Sequence, residues 1–279
     1  MTQILGRAAL AAMMATASAT ALADARLDRG RYLVESIAGC GYCHTPQGPD
    51  GPLPGKALAG GLAVQDAAFT AVSANITSDP ETGIGRCTDA QIVVAIREGR
   101  RPDGSLIGPP MPFDQYRLIS DSDVAAIVAY LRSVPPAKNA VARTRYPFPP
   151  PPAWGPPVGS VPDVPPGDKV AYGRYLAGPM GHCIECHSAP GPQGTPDTRG
   201  GLGAGGLSFP GPWGKSTAPN ITPTGLKRYT DAQLEALIAT GARPDGTRLK
   251  PPMGVPYCAK MSATDLDAVV AYLSTLPPK

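Results

Sequence analysis

One pattern is written twice along these 279 residues, and the repetition constrains the fold more than any single motif does. Arg29-Gly-Arg-Tyr-Leu-Val34 returns as Tyr172-Gly-Arg-Tyr-Leu-Ala177, and Cys40-Gly-Tyr-Cys-His44 as Cys183-Ile-Glu-Cys-His187. Asn75-Ile-Thr77 returns as Asn220-Ile-Thr222, Thr88-Asp-Ala-Gln91 as Thr230-Asp-Ala-Gln233, and Arg101-Pro-Asp-Gly104 as Arg243-Pro-Asp-Gly246. Pro109-Pro-Met111 and Ala129-Tyr-Leu131 reappear as Pro251-Pro-Met253 and Ala271-Tyr-Leu273. The order never changes, and the offset stays between 142 and 145 residues. Two domains of ordinary size are expected, over 24–134 and 168–279, because single cores usually take about 100 to 150 residues.

Between them, 135–167 is a Pro-rich linker that includes Tyr146-Pro-Phe-Pro-Pro-Pro-Pro152. Consecutive prolines favour a polyproline II path. The segment is therefore read either as a semi-rigid connector, docked through Tyr146, Phe148 and Trp154, or as a disordered tether. The regular elements read as helices. Short ones over 28–36 and 169–176 lead into the cysteine motifs. Hydroxyl-capped ones run over 88–97 and 230–239, and amphipathic ones over 120–132 and 262–274 close each copy. The Gly- and Pro-rich stretches 45–61 and 188–214 read as loops, and nothing alternates enough to predict a sheet. The expected fold class is all-α.

The chemistry lies in the cysteines. In C-x-x-C-H two thiols one helical turn apart can add to the two vinyl groups of a haem, while the adjacent histidine reaches the iron. A disulfide or a zinc site also uses C-x-x-C, and two matches in register argue against both. The predicted attachment residues are Cys40, Cys43, His44, Cys183, Cys186 and His187, for two covalently bound haem c groups. Met111 and Met253 are the predicted sixth iron ligands. Beyond residue 23 the chain has four methionines, and these two alone fall at matching places, each after a Pro-Pro pair. Met180 and Met261 are expected to be packing residues.

These features resemble a tandem of class I cytochrome c domains, and in particular the cytochrome subunits that accompany periplasmic dehydrogenases of alcohols, aldehydes and sugar acids. The likeness is carried by C-x-x-C-H, by Asn75-Ile-Thr-Ser-Asp-Pro-Glu-Thr-Gly-Ile-Gly85, by the Pro-Pro-Met loop and by the terminal Ala-Tyr-Leu helix. It implies an electron carrier that takes electrons from a dehydrogenase and passes them to a cytochrome or terminal oxidase, with no catalytic residues of its own. The rival is a dihaem enzyme of peroxidase or thiosulfate-oxidising type, which needs one iron with an open site or a ligand other than Met.

Arg7 followed by an Ala-rich run to Ala21-Leu-Ala23 reads as a secretory signal cut after Ala23, and so as a periplasmic protein. Its loss leaves 24 basic and 22 acidic residues, a balance that excludes nucleic acid as a partner. No stretch reads as a transmembrane helix of the mature chain. Cys87 and Cys258 remain, as an interdomain disulfide, as two free thiols, or with Cys87 as an iron ligand. His182 reads as a surface group or one beside the haem. Arg97, Arg100, Arg101 and Arg243 read as propionate partners or solvated cations, and Trp213 and Tyr229 as packing on the second haem or in the core.

Overall fold

The computed structural model describes residues 21–65, 70–144, 146–147, 151–192 and 195–279. The leader assigned to 1–23 falls almost wholly outside them, as does Phe148. The chain is helical over 21–35 (α1), then forms α2 (Cys40–His44), α3 (Asp89–Glu98), α4 (Phe113–Tyr116) and α5 (Asp121–Ser133). The second copy repeats the series as α6 (Lys169–Tyr175), α7 (Cys183–His187), α9 (Asp231–Thr240), α10 (Val255–Cys258) and α11 (Ala263–Leu273), and adds the short α8 (Pro223–Leu226) between α7 and α9. A π-helical turn, Leu176–Met180, joins α6 to the stretch before α7.

Local sequence explains the boundaries. Thr88 and Thr230 each close a capping box with the glutamine three residues on, and Gly99 and Gly241 take the left-handed conformation that ends α3 and α9. Ser120 and Ser262 cap α5 and α11 by accepting from the backbone N–H of Asp123 and Asp265.

The chain is helix-rich, with only small sheets. Among the described residues, four small antiparallel hairpins lie in the stretches read as loops and just beyond them: β1–β2 (Gln47–Gly48, Gly51–Pro52), β3–β4 (Ala63–Gln65, Thr70–Val72), β5–β6 (Ala189–Pro190, Pro196–Asp197) and β7–β8 (Ser208–Gly211, Gly214–Thr217). With two to four residues each they are too short to alternate, so sequence periodicity does not register them.

Val124, Ile127, Val128 and Leu131 form the buried stripe of α5, and Leu266, Val269, Val270 and Leu273 form that of α11. Each such side chain contributes about 1.5–3 kcal/mol on burial. The stripes pack on α1, α6 and the π-helical turn through Leu33, Val34, Tyr172 and Leu176, in one continuous cluster that holds residues of both copies. The helices cross at glycine. A Cβ on Gly30 would lie 1.9 Å from the Ala126 carbonyl oxygen, and one on Gly173 would lie 1.8 Å from that of Ala268.

The copies are also tied by reciprocal hydrogen bonds. Tyr32 donates to Asp265 (2.6 Å) and accepts from the Ser262 N–H, while Tyr175 donates to Asp123 (2.8 Å) and accepts from the Ser120 N–H. Arg29 adds a bidentate pair to Asp123 at 2.8 and 2.9 Å, and the matching position of the second copy is Tyr172.

The Pro-rich segment lies along the first copy. Asn139 donates to Ala59 and Gly60, Arg143 pairs with Asp103, and Tyr146 donates to the Pro109 carbonyl (2.7 Å). Trp154 donates to the Ile107 carbonyl (2.7 Å) and stacks on Phe113 with centroids 4.8 Å apart.

Candidate functional site

Each cysteine motif is a one-turn helix entered through a left-handed residue, Gly39 before α2 and His182 before α7. The two thiols of each motif sit one turn apart, as the spacing requires. Burial raises the pKa of all four, to about 12 for Cys40 and Cys183 and about 11 for Cys186.

The histidines are fixed in the same way in both copies. His44 Nδ1 donates to the Ala74 carbonyl at 2.7 Å, and His187 Nδ1 donates to the Pro219 carbonyl at 2.9 Å. Burial pushes both imidazoles below the usual histidine range, so each ring is neutral near pH 7 with its lone pair on Nε2. A ring nitrogen held by a backbone carbonyl while the other stays open is how a protein orients an iron-ligating histidine.

The accepting carbonyls are placed by residues the sequence singled out only as a repeat. Asn75 Oδ1 accepts from the Thr77 N–H and hydroxyl, and Asn220 Oδ1 does the same for Thr222, closing tight turns just after Ala74 and Pro219. Thr77 and Thr222 are fully buried. Gly60 and Gly205, both at positive φ, pass so close that a Cβ would lie 2.4–2.5 Å from the Ala74 or Pro219 carbonyl carbon. Their N–H groups donate to the His44 and His187 carbonyls at 2.7 Å, so only glycine fits there. The donor sets and these cradles fit a covalently held haem at each motif.

Met111 and Met253 follow the cis pairs Pro109-Pro110 and Pro251-Pro252, half-buried in matching loops. Met180 and Met261 are buried in the core, as packing residues. Arg97 is buried and committed to Asp121 (2.8 Å) and the Ile119 carbonyl, while Arg101 and Arg243 brace their own hairpin loops through the Leu106 and Arg248 carbonyls. Trp213 stays exposed on β7–β8. Cys87 and Cys258 are free thiols, so no disulfide joins the copies. His182 packs edge-on against Tyr116 and is pushed down to about 4 by burial.

The copies also touch beside the motif helices. The Tyr257 ring lies against Gly39 and Gly41 and edge-on to Tyr42 at 5.9 Å, and Ile37 packs on Gly181. The sequence carried no signal for these contacts, because Tyr257 and its counterpart Gln115 are unlike.

No protein-family model matches the chain. It is 31% identical to a dihaem c-type cytochrome of Cereibacter sphaeroides, over 86% of this chain and 82% of that protein. It is 32% identical to the cytochrome c subunit of a quinone-type alcohol dehydrogenase of Gluconobacter oxydans, over 91% of this chain and 55% of that protein. It is 34% identical to one of the polypeptides of the nicotinate dehydrogenase of Pseudomonas putida, over 90% of this chain and 21% of that polypeptide. Apart from the Cereibacter protein, these relatives are matched over about half their length or less. The chain belongs to the c-type cytochromes. Within that family it is a two-haem cytochrome c in likeness, similar to the cytochrome subunits of alcohol, fructose and gluconate dehydrogenases. No helix among the described residues is long and apolar enough to cross a membrane.

Proposed function

We propose that this protein is a periplasmic dihaem electron carrier, taking electrons from a dehydrogenase and passing them to a downstream cytochrome or terminal oxidase. The observation that carries the reading is the paired histidine geometry, in which Nδ1 of His44 and of His187 is spent on a backbone carbonyl at equivalent positions. Residues 24–134 and 168–279 are the two cytochrome c domains, 135–167 is the linker, and 1–23 is a signal peptide removed after Ala23.

Cys40 and Cys43 form thioethers to one haem and Cys183 and Cys186 to the other. His44 and Met111 ligate the first iron, His187 and Met253 the second. Each haem, once bound, supplies a one-electron ferric/ferrous couple, which methionine ligation raises in potential. The chain's own part is to orient and to exclude. Ala74 and Pro219 hold the imidazole planes, and the Pro-Pro-Met loops close the sixth position, so the protein offers neither oxygen nor substrate a site on the iron.

Potentiometric titration of the exported protein tests this. Two one-electron waves and no spectral response to carbon monoxide are expected. Ready carbon monoxide binding by the reduced protein overturns the carrier assignment.

A further inference from the structure

Between the Pro-rich segment and the hairpin over 100–106 lies a cleft of about 330 Å³. Sites for small molecules run upward from about 300 Å³. Leu106, Pro151, Pro152 and Trp154 form its apolar wall. The hydroxyls that line it are already spent: Thr144 on the Val72 backbone, Ser105 on Asp103, and Tyr146 on the Pro109 carbonyl. The two guanidinium groups are not. Arg101 uses only Nη1, on the Ser105 hydroxyl and the Leu106 carbonyl, and Arg143 uses only Nη1, on Asp103 and Ser105. Among the described residues, Nε and Nη2 of both arginines therefore meet no protein acceptor, and no carboxylate lines the cleft. Burial, and after it the neighbouring charge of Arg143, pulls the Arg101 guanidinium below its ordinary value.

We infer that this cleft binds a small carboxylate carried on an apolar ring, with the carboxylate on Arg101 and Arg143 and the ring against Trp154 and the two prolines. Each part of that chemistry answers a feature of the cleft. Two cations share one acid, Asp103, which pairs with Arg143, so the polar side keeps a net positive charge that an anion neutralises. Planar forks of unspent N–H donors match a planar carboxylate. A flat ring buries apolar surface that a hydrated inorganic anion leaves wet. The cleft contains none of the residues assigned to either haem, so the inference goes beyond the carrier reading and does not lean on it.

Isothermal titration calorimetry on the exported, haem-loaded full chain tests it, with benzoate, benzyl alcohol and inorganic phosphate as probes. Benzoate is expected to saturate with a Kd of about 1 mM or tighter, and the other two, which lack the charge or the ring, to bind at least about tenfold more weakly. Arg143→Gln, at an exposed position, should weaken benzoate roughly tenfold or more, while Lys56→Gln, which removes a charge elsewhere on the first copy, should not. Weaker binding of benzoate, or none, overturns the site; that is also the outcome if the propionates of the first haem, which carry the same group, fill the cleft. Phosphate or benzyl alcohol binding as well as benzoate, no loss in Arg143→Gln, or equal losses in both variants overturns the assigned chemistry. Haem is counted in every sample. Two haems without benzoate binding end this inference alone, whereas benzoate bound by a chain that carries no haem supports the site and removes the carrier reading.

Discussion

Gly30→Ala tests how the terminal helices are joined. The new methyl would lie 1.9 Å from the Ala126 carbonyl oxygen, 2.5 Å from its carbon and 2.9 Å from Tyr130 Cβ. Two of these are backbone atoms of α5, so no side chain can turn aside, and α1 and α5 must separate by more than about 1 Å to restore ordinary contact. Overpacking of this kind costs about 3 kcal/mol at the upper end. The gain in helix propensity from replacing glycine returns about 1 kcal/mol. The net loss is about 2 kcal/mol, which lowers the melting midpoint of a chain this size by about 4–8 °C. Gly173→Ala meets the Ala268 carbonyl at 1.8 Å and should behave alike. Gly167→Ala has nothing within 4 Å and serves as the control, neutral or slightly stabilising. Thermal melts followed by far-UV circular dichroism decide it, and a Gly30→Ala or Gly173→Ala protein as stable as wild type refutes the glycine crossing.

Further expectations follow from the same contacts. Tyr175→Phe removes the hydroxyl that donates to the buried Asp123 and accepts from Ser120, and should cost about 1.5–3 kcal/mol in denaturant unfolding. Trp154→Ala removes the stack on Phe113 and the bond to Ile107, so it should destabilise by about 2–3 kcal/mol and weaken one of the two methionine-to-iron bands, leaving the other intact. The Ser160 hydroxyl, and next Arg97, hold the Asp121 carboxyl down to about 2 from 3.8. Since the folded value is depressed, this contribution is present above about pH 4 and lost as pH falls towards 2. The stability gap between wild type and Asp121→Asn should close over that range; a gap constant down to pH 2 contradicts the assignment. Cys→Ala at all four motif cysteines should give a poorly helical chain by circular dichroism, because small domains around large cofactors lean on them for their core.

The main helices were legible because their signals are local. Thr88 with Gln91 and Thr230 with Gln233 announce a capped start, and the stripe from Val124 to Leu131 announces a buried face. The repeat pointed to the histidines' supports without revealing their task, since Asn75 and Asn220 act through the carbonyl before them. What escaped the sequence is long-range or very short-range. Asp123 and Asp265 carry no local sign of their cross-copy partners Tyr175 and Tyr32, which come from 52 and 233 residues away. The hairpins are too short for a period, and Arg97 gave no sign that Asp121 would claim it.

The measurement that bears most directly on the central claim is the haem count and absorption spectrum of the exported full chain, oxidised and reduced. Two haems per chain, both low-spin, with a methionine-to-iron band of two-site intensity that disappears in Met111→Ala/Met253→Ala, is the predicted result. One haem or none, or a high-spin ferric signal in the wild-type chain, contradicts it.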